Sequence, residues 1–204
     1  MDKQVIIAMG REYGSGGHEI AVKIAEYFDL PLYDRNLLKE VAVRKNLSEE
    51  EYLEMQELDE RERKLFFSRK VAGHSNSPEQ NVANLQFELL RDFAKEGKSF
   101  VVVGRCAEYV LKDRDDLITI FINGEELPKI ERVMRLHNLS EEDAIDRMKK
   151  ADKKRRDYHD SNTAADYHWG AADTYDVCIS SSYLGVDGTA DILIKYIEAR
   201  MAKF

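Results

Sequence analysis

Unbroken apolar runs mark the first elements of the chain. Val5-Ile6-Ile7-Ala8-Met9 ends at Gly10, Ser99-Phe100-Val101-Val102-Val103 ends at Gly104, and Leu117-Ile118-Thr119-Ile120-Phe121-Ile122 is the third. Runs this short, apolar at all but Ser99 and Thr119, predict strands buried on both faces of a sheet. Leu30-Pro31-Leu32-Tyr33-Asp34 and Tyr175-Asp176-Val177-Cys178-Ile179 predict two shorter strands, and Pro31 moves the first of these toward a strand start or an edge.

Between the runs the apolar period changes from one to about four. Ile20, Ile24 and Phe28, flanked by Ala21 and Ala25, predict an amphipathic helix from Gly16 to Phe28. Residues 35 to about 97 are helical in pattern, with a capping box at Ser48 and Glu51, a turn-rich break at Gly73–Pro78, and an apolar stripe of Leu85, Leu89, Leu90 and Phe93. Further helices are expected from Glu125 to His137, from Ser140 to about Asp160, and from Gly188 to Lys203 on Ile192, Ile194, Tyr196 and Ile197. Strands alternating with helices imply an α/β fold with a central parallel sheet covered on both faces. The block 35–97 is too long for a simple crossover and reads as a helical insert within a single domain.

Composition narrows the classes of function. The 204 residues are 43% hydrophobic and 34% charged, with a formal net charge of -8. That balance gives no basic surface for nucleic acid. No run approaches the length that crosses a bilayer, and no signal peptide is apparent, so a cytoplasmic setting without membrane partners is expected. The two cysteines, Cys106 and Cys178, lie far apart and read as buried apolar residues, not as a disulfide or zinc site. The five histidines, His18, His74, His137, His159 and His168, show no ligand spacing, and no protein-built metal site is expected.

The chemistry concentrates between the first strand and the first helix. Gly10-Arg11-Glu12-Tyr13-Gly14-Ser15-Gly16-Gly17-His18 places three glycines within four positions where a helix begins. Such a segment bends tightly, and its N–H groups and the helix dipole favour an anion, so Gly14, Ser15, Gly16, Gly17 and His18 are candidates for binding the phosphates of a nucleotide. The full G-x-x-x-x-G-K-[ST] pattern is absent: Gly17 stands at the lysine position, and Arg11 is the nearest replacement cation. Arg105 follows Gly104 past the end of a buried strand, where ligands bind in open α/β sheets. Asp34 and Arg35 end the second strand and could face the same crevice, although Asp34 reads equally as a helix cap. Lys149, Lys150, Lys153, Lys154, Arg155 and Arg156 form the densest basic cluster, either a solvated helix face or a lid over a transferring phosphoryl group. Arg155 and Arg156 are the preferred lid cations. Arg132 and Arg135 read as surface charges. Tyr158, Tyr167 and Trp169 read as packing residues that could also stack on a base.

Arg11-Glu12-Tyr13-Gly14-Ser15-Gly16-Gly17, Leu32-Tyr33-Asp34-Arg35, Val103-Gly104-Arg105-Cys106-Ala107 and Asp152–His159 with Tyr175–Ser181, in that order, resemble the cytidylate kinase-like branch of the P-loop nucleoside monophosphate kinases. The resemblance implies a P-loop NTPase three-layer sandwich in which the insert, 35–97, binds the acceptor and a region of about 149–172 forms a lid. It implies phosphoryl transfer from ATP, with Mg²⁺, to a pyrimidine monophosphate, CMP or a related acceptor. It places Asp34, Arg35 and Arg105 on the acceptor side, Arg11, Arg155 and Arg156 around the transferred group, and Arg132 and Arg135 near the adenine. Cytidylate kinases carry a lysine and an aspartate where this chain has Gly17 and Cys106. A regulator that binds nucleotides without catalysis, and a kinase of another small metabolite, are the alternative readings. The insert's exposed helices could support a homodimer, although no heptad is sustained.

Overall fold

The computed structural model describes residues 3–65 and 78–204. Among these, five strands form one all-parallel sheet: β1 (Ile6–Arg11), β2 (Leu32–Tyr33), β3 (Phe100–Val103), β4 (Leu117–Asn123) and β5 (Val177–Ser180), in the order β2-β3-β1-β4-β5. The central strand β1 pairs Ile6 with Phe100 on one side and with Leu117 on the other.

Alternation along the strands assigns the two faces. Ile7, Met9, Val101, Ile118 and Ile120 pack against α1 (Gly17–Phe28) and α8 (Gly185–Met201). Ile6, Ala8, Phe100 and Val102 pack against α2 (Leu37–Lys45), α3 (Glu49–Leu65) and α4 (Pro78–Lys95). The continuous apolar runs thus reflect burial from both sides. The four-residue α5 (Ala107–Val110) follows β3, and the pair α6 (Glu126–His137) and α7 (Glu141–Asn162) packs on Ile130, Val133, Ala144 and Met148, with Tyr13 against them.

The capping signals hold at atomic detail. The Ser48 N–H donates to Glu51 Oε2 at 2.7 Å, and the Glu51 N–H donates to Ser48 Oγ at 3.2 Å. Ser140 Oγ accepts the Asp143 N–H at 3.1 Å. The expected turn at 73–77, with His74, lies outside the described residues, and Pro78 is the first residue of α4.

Other expectations are corrected. β1 continues through Gly10 and Arg11, because β4 goes on pairing with it as far as Ile122. A Cβ on Gly10 would lie 2.6 Å from the Phe121 ring, so this glycine serves packing inside a strand and does not end one. α8 begins at Gly185, three residues before the expected start, and Ile192 is exposed while Leu193 joins the core. Cys106 is buried as expected, but Cys178 is exposed on the edge strand β5. No described helix is long and apolar enough to cross a membrane.

Candidate functional site

The chain leaves β1 for α1 on one face and leaves β3 for α5 on the other. This reversal opens a crevice beyond the carboxyl ends of the two strands, where open α/β sheets take their ligands. The glycine-rich loop borders it. Gly14 and Gly16 have φ of 83° and 76°, a region that side chains resist. A Cβ on Gly14 would lie 3.0 Å from the Lys129 carbonyl oxygen, and one on Gly16 would lie 2.8 Å from Val186. Ser15 is buried; its hydroxyl donates to the Glu12 carbonyl at 2.9 Å, and its own carbonyl accepts from Ser181 Oγ at 2.6 Å. Gly16 offers no side-chain cap to α1; the Gly17 N–H donates to Ser15 Oγ at 3.3 Å, and a helix start without a cap favours an anion.

Arginines from four elements converge at the crevice. Arg11, at the end of β1, is pulled down to about 9 by burial and then by Arg155, Arg105 and Arg35, with Asp34 opposing. It remains a cation at neutral pH. Arg105 sits in a run of three left-handed residues, Gly104, Arg105 and Cys106, with φ of 80°, 64° and 51°. Non-glycine residues held there store strain, which the surroundings must offset. Its guanidinium is buried on α3, 2.9 Å from Asp59 Oδ1, and Gln86 Nε2 donates to the same oxygen at 3.1 Å. Burial works against that charge, yet Asp59 and Tyr158 together hold Arg105 above its ordinary value. Arg155, on α7, donates to the Arg11 carbonyl at 3.1 Å, pairs with Asp152 at 3.2 Å and lies over the Tyr13 ring at 5.4 Å. Burial holds it below its ordinary value. Arg35 is exposed and acts on both Arg11 and Arg155 through its charge.

The remaining candidates are placed differently. Arg156 is one step further round α7, over the Trp169 ring at 5.5 Å, and is not among the cations acting on Arg11. Lys150 pairs with Asp146 and Lys153 with Asp157, each at 2.6 Å within the helix, so the lysine part of the basic cluster is a solvated face. His18 is exposed, 3.8 Å from Asp34. Asp34 and Asn36 exchange hydrogen bonds of 2.9 and 3.1 Å, and Asn36, not Asp34, precedes α2 as its cap. Tyr158 is buried, and Tyr167 stacks edge-on against Tyr109. Arg132 pairs with Glu19 beside Gly16. With Arg135, Pro128, Ser182 and Val186 it lines a groove of about 350 Å³ that reaches Gly14 and Ser15.

Several participants carried no sequence signal. Asp59 and Gln86 lie on helices whose polar pattern resembles any solvated helix. Asp152 sits inside the basic run, yet it accepts the Tyr13 N–H at 2.7 Å as well as pairing with Arg155. Lys129 reaches back to Glu12 Oε2 at 2.7 Å, and the Gly124 N–H donates to the same oxygen at 3.2 Å. Among the described residues no three His, Cys, Asp or Glu side chains converge on a metal position. A Mg²⁺ that keeps several waters and is held through phosphate oxygens and one or two carboxylates needs no such cluster. Asp34 is a carboxylate close enough for its charge to be felt at Arg11.

A model of the cytidylate kinase-like family matches residues 6–183. A crystal structure of an uncharacterized protein from Eubacterium ventriosum ATCC 27560 is 38% identical, covering 96% of this chain and 99% of that one, with a TM-score of 0.74. Shikimate kinase from Bacteroides thetaiotaomicron is 14% identical over 95% of this chain and 98% of its own, with a TM-score of 0.54, a likeness of fold. No curated protein matches the chain.

Proposed function

The chain belongs to the cytidylate kinase-like family, and on that premise we propose that it transfers the γ-phosphate of ATP to a nucleoside monophosphate, CMP or a related acceptor. The observation that carries this reading is the convergence of Arg11, Arg35, Arg105 and Arg155 on the crevice that the glycine-rich loop borders. Asp59 and Asp152 balance Arg105 and Arg155, which leaves positive charge at Arg11 and Arg35 for an anion to join, and a phosphoryl group between two nucleotides is such an anion.

In this reading Gly14, Ser15, Gly16, Gly17 and His18 hold the donor phosphates, and the base lies in the groove beside Arg132 and Arg135. Asp34, Arg35 and Arg105 receive the acceptor, with the insert 35–97 forming its wall. An acceptor phosphate oxygen attacks the γ-phosphorus, the bond to the bridging oxygen breaks, and ADP leaves with that electron pair. Little acid–base help is needed; positioning and charge supply most of the rate. Arg155 neutralises charge on the transferred group, and the region 149–172 acts as the lid that excludes water. Arg156, held over Trp169, belongs to that lid and not to the reacting centre. Mg²⁺, when bound with the nucleotide and Asp34, supplies further charge neutralisation. The partners are then small nucleotides, in a cytoplasmic setting.

Gly17 at the lysine position favours a second reading, a nucleotide-binding regulator without turnover. Magnesium-dependent ADP release across a panel of nucleoside monophosphates, run beside melting curves, separates the two. Turnover with one acceptor above all others is expected. ATP-induced stabilisation with no turnover at high enzyme leaves the regulator standing, and indifference to every nucleotide sinks both.

A further inference from the structure

Two glycines from separate elements are shaped around one arginine. A Cβ on Gly17 would lie 2.6 Å from Arg11 Cβ and 3.1 Å from Arg11 Cγ. Arg11 Cβ is fixed by the backbone and cannot swing aside. Gly104 has φ of 80°, and a Cβ there would lie 2.9 Å from Arg11 Nη1. The Arg11 side chain therefore starts in the space that a side chain at position 17 would enter. It ends against the turn after β3, at the mouth of the crevice.

The neighbouring cations have carboxylates. Arg105 has Asp59 at 2.9 Å, Arg155 has Asp152 at 3.2 Å, and Lys129 has Glu12 at 2.7 Å. Arg132 has Glu19. Among the described residues no carboxylate lies within ion-pair distance of Arg11. Lys129, another basic side chain against the loop, is committed to Glu12 and is largely buried beneath it. Arg35 is exposed and follows β2, on the acceptor side.

We propose that Arg11 is the phosphate-binding cation of this loop, reaching from the end of β1 into the place that a lysine at the start of α1 holds in the G-x-x-x-x-G-K-[ST] loop, and that positions 11 and 17 exchange as a unit. The proposal rests on the reading that the loop holds the phosphates of a nucleotide. The missing lysine is then a relocation of charge and not a loss. Gly17 is the space that the relocation requires, and a lysine there cannot coexist with Arg11. An arginine at this place also offers phosphate a planar, two-pronged donor where lysine offers a point charge.

The test uses the whole chain with ATP as the probe, reading both the ATP-induced rise in melting temperature and the rate of transfer to the best acceptor. Arg11→Gln, which keeps the volume and removes the charge, is expected to abolish most of the ATP-induced rise and to slow transfer at least about 100-fold. Arg11→Lys is expected to keep the rise and part of the rate. Gly17→Lys alone is expected to melt below the wild type. Arg11→Gly with Gly17→Lys, which removes the clashing Cβ, is expected to melt above Gly17→Lys and to transfer at least about tenfold faster than Arg11→Gly alone.

An Arg11→Gln variant within twofold of wild type on both readouts overturns the proposal. So does a folded double variant no better than Arg11→Gly. Should the glycine variants fail to fold, the Gln and Lys pair still decides it. Wild-type protein that ATP stabilises but that transfers nothing sinks the kinase reading and leaves Arg11 to be judged on binding. An active wild type with an indifferent Arg11→Gln sinks this proposal alone, and a wild type that ATP neither stabilises nor engages sinks both.

Discussion

At the scale of single residues, the site holds charge at the expense of stability, and Asp152 shows it. Burial holds its carboxyl above the ordinary value, while the Tyr13 N–H and Arg155 oppose. The unfolded chain thus gives up this proton at lower pH than the fold does. Between the two values the folded chain binds more protons, so raising the pH through that window removes stability. At neutral pH the ionised carboxylate is a net cost, and its return is the placement of Arg155 and of the loop. Asp152→Asn is therefore expected to melt at or above the wild-type temperature at pH 7, with the difference closing as the pH falls below the raised value. The same variant should slow transfer by about 10- to 100-fold, the scale of effect that misplacing a reacting partner produces. A variant that melts well below wild type at pH 7 would mean that the carboxylate holds the fold together. Asp152 opens the segment Asp152–His159 that carries part of the family resemblance, but its role was not readable in advance. Asp152 lies among lysines and arginines in sequence, and only the return of α7 to Tyr13 distinguishes it from a solvated acid. Arg11, Arg105 and Arg155 were readable because glycines, strand ends or a dense basic run mark their positions.

At the scale of elements, legibility followed local physics. Strands β1, β3 and β4 were clear because burial on both faces leaves almost no polar position, and α3 and α7 were clear at their starts because caps are local hydrogen bonds. The end of β1 was not, because Gly10 looks the same whether it breaks a strand or makes room for Phe121. The left-handed turn over Gly104, Arg105 and Cys106 was not either, since two of its three residues are types that avoid such φ. That turn is held from outside by the buried Arg105–Asp59 pair, which ties it to α3. Removing Asp59 leaves a buried guanidinium without its counter-charge. Asp59→Ala is expected to cost about 3–5 kcal/mol in denaturant unfolding. Replacing Arg105 and Asp59 together by Met and Leu should recover most of that loss and leave acceptor binding abolished. Full acceptor binding in the double variant would show that the pair is scaffolding only.

At the scale of the whole molecule, the parallel sheet with helices on both faces was legible because strands alternate with helices along the chain. The element that touches both ends of the crevice was not; it is α7. Asp152 and Arg155 hold the loop on the donor side. One turn on, Tyr158 lies against Arg105, and His159 Nε2 meets the buried Glu108 Oε1 at 3.2 Å. On the proposed assignment, a donor that fixes Arg155 would also fix the helix that backs Arg105, and the ordering would be done once for two ligands. Donor and acceptor should then strengthen each other's binding, by the same factor in either order. Calorimetric titration of CMP, or of whichever monophosphate the panel selects, with and without a non-hydrolysable ATP analogue, is expected to show roughly a fivefold or greater tightening. The reverse titration should give the same ratio. Arg155→Lys should shrink that ratio more than it weakens either ligand alone, because a lysine lacks the planar guanidinium that lies over Tyr13 and from there sets one nitrogen, Nη1, against both Asp152 and the Arg11 carbonyl. Equal affinities with and without the analogue would show that α7 holds the two sides independently, and that closure of the lid contributes nothing to recognition of the acceptor.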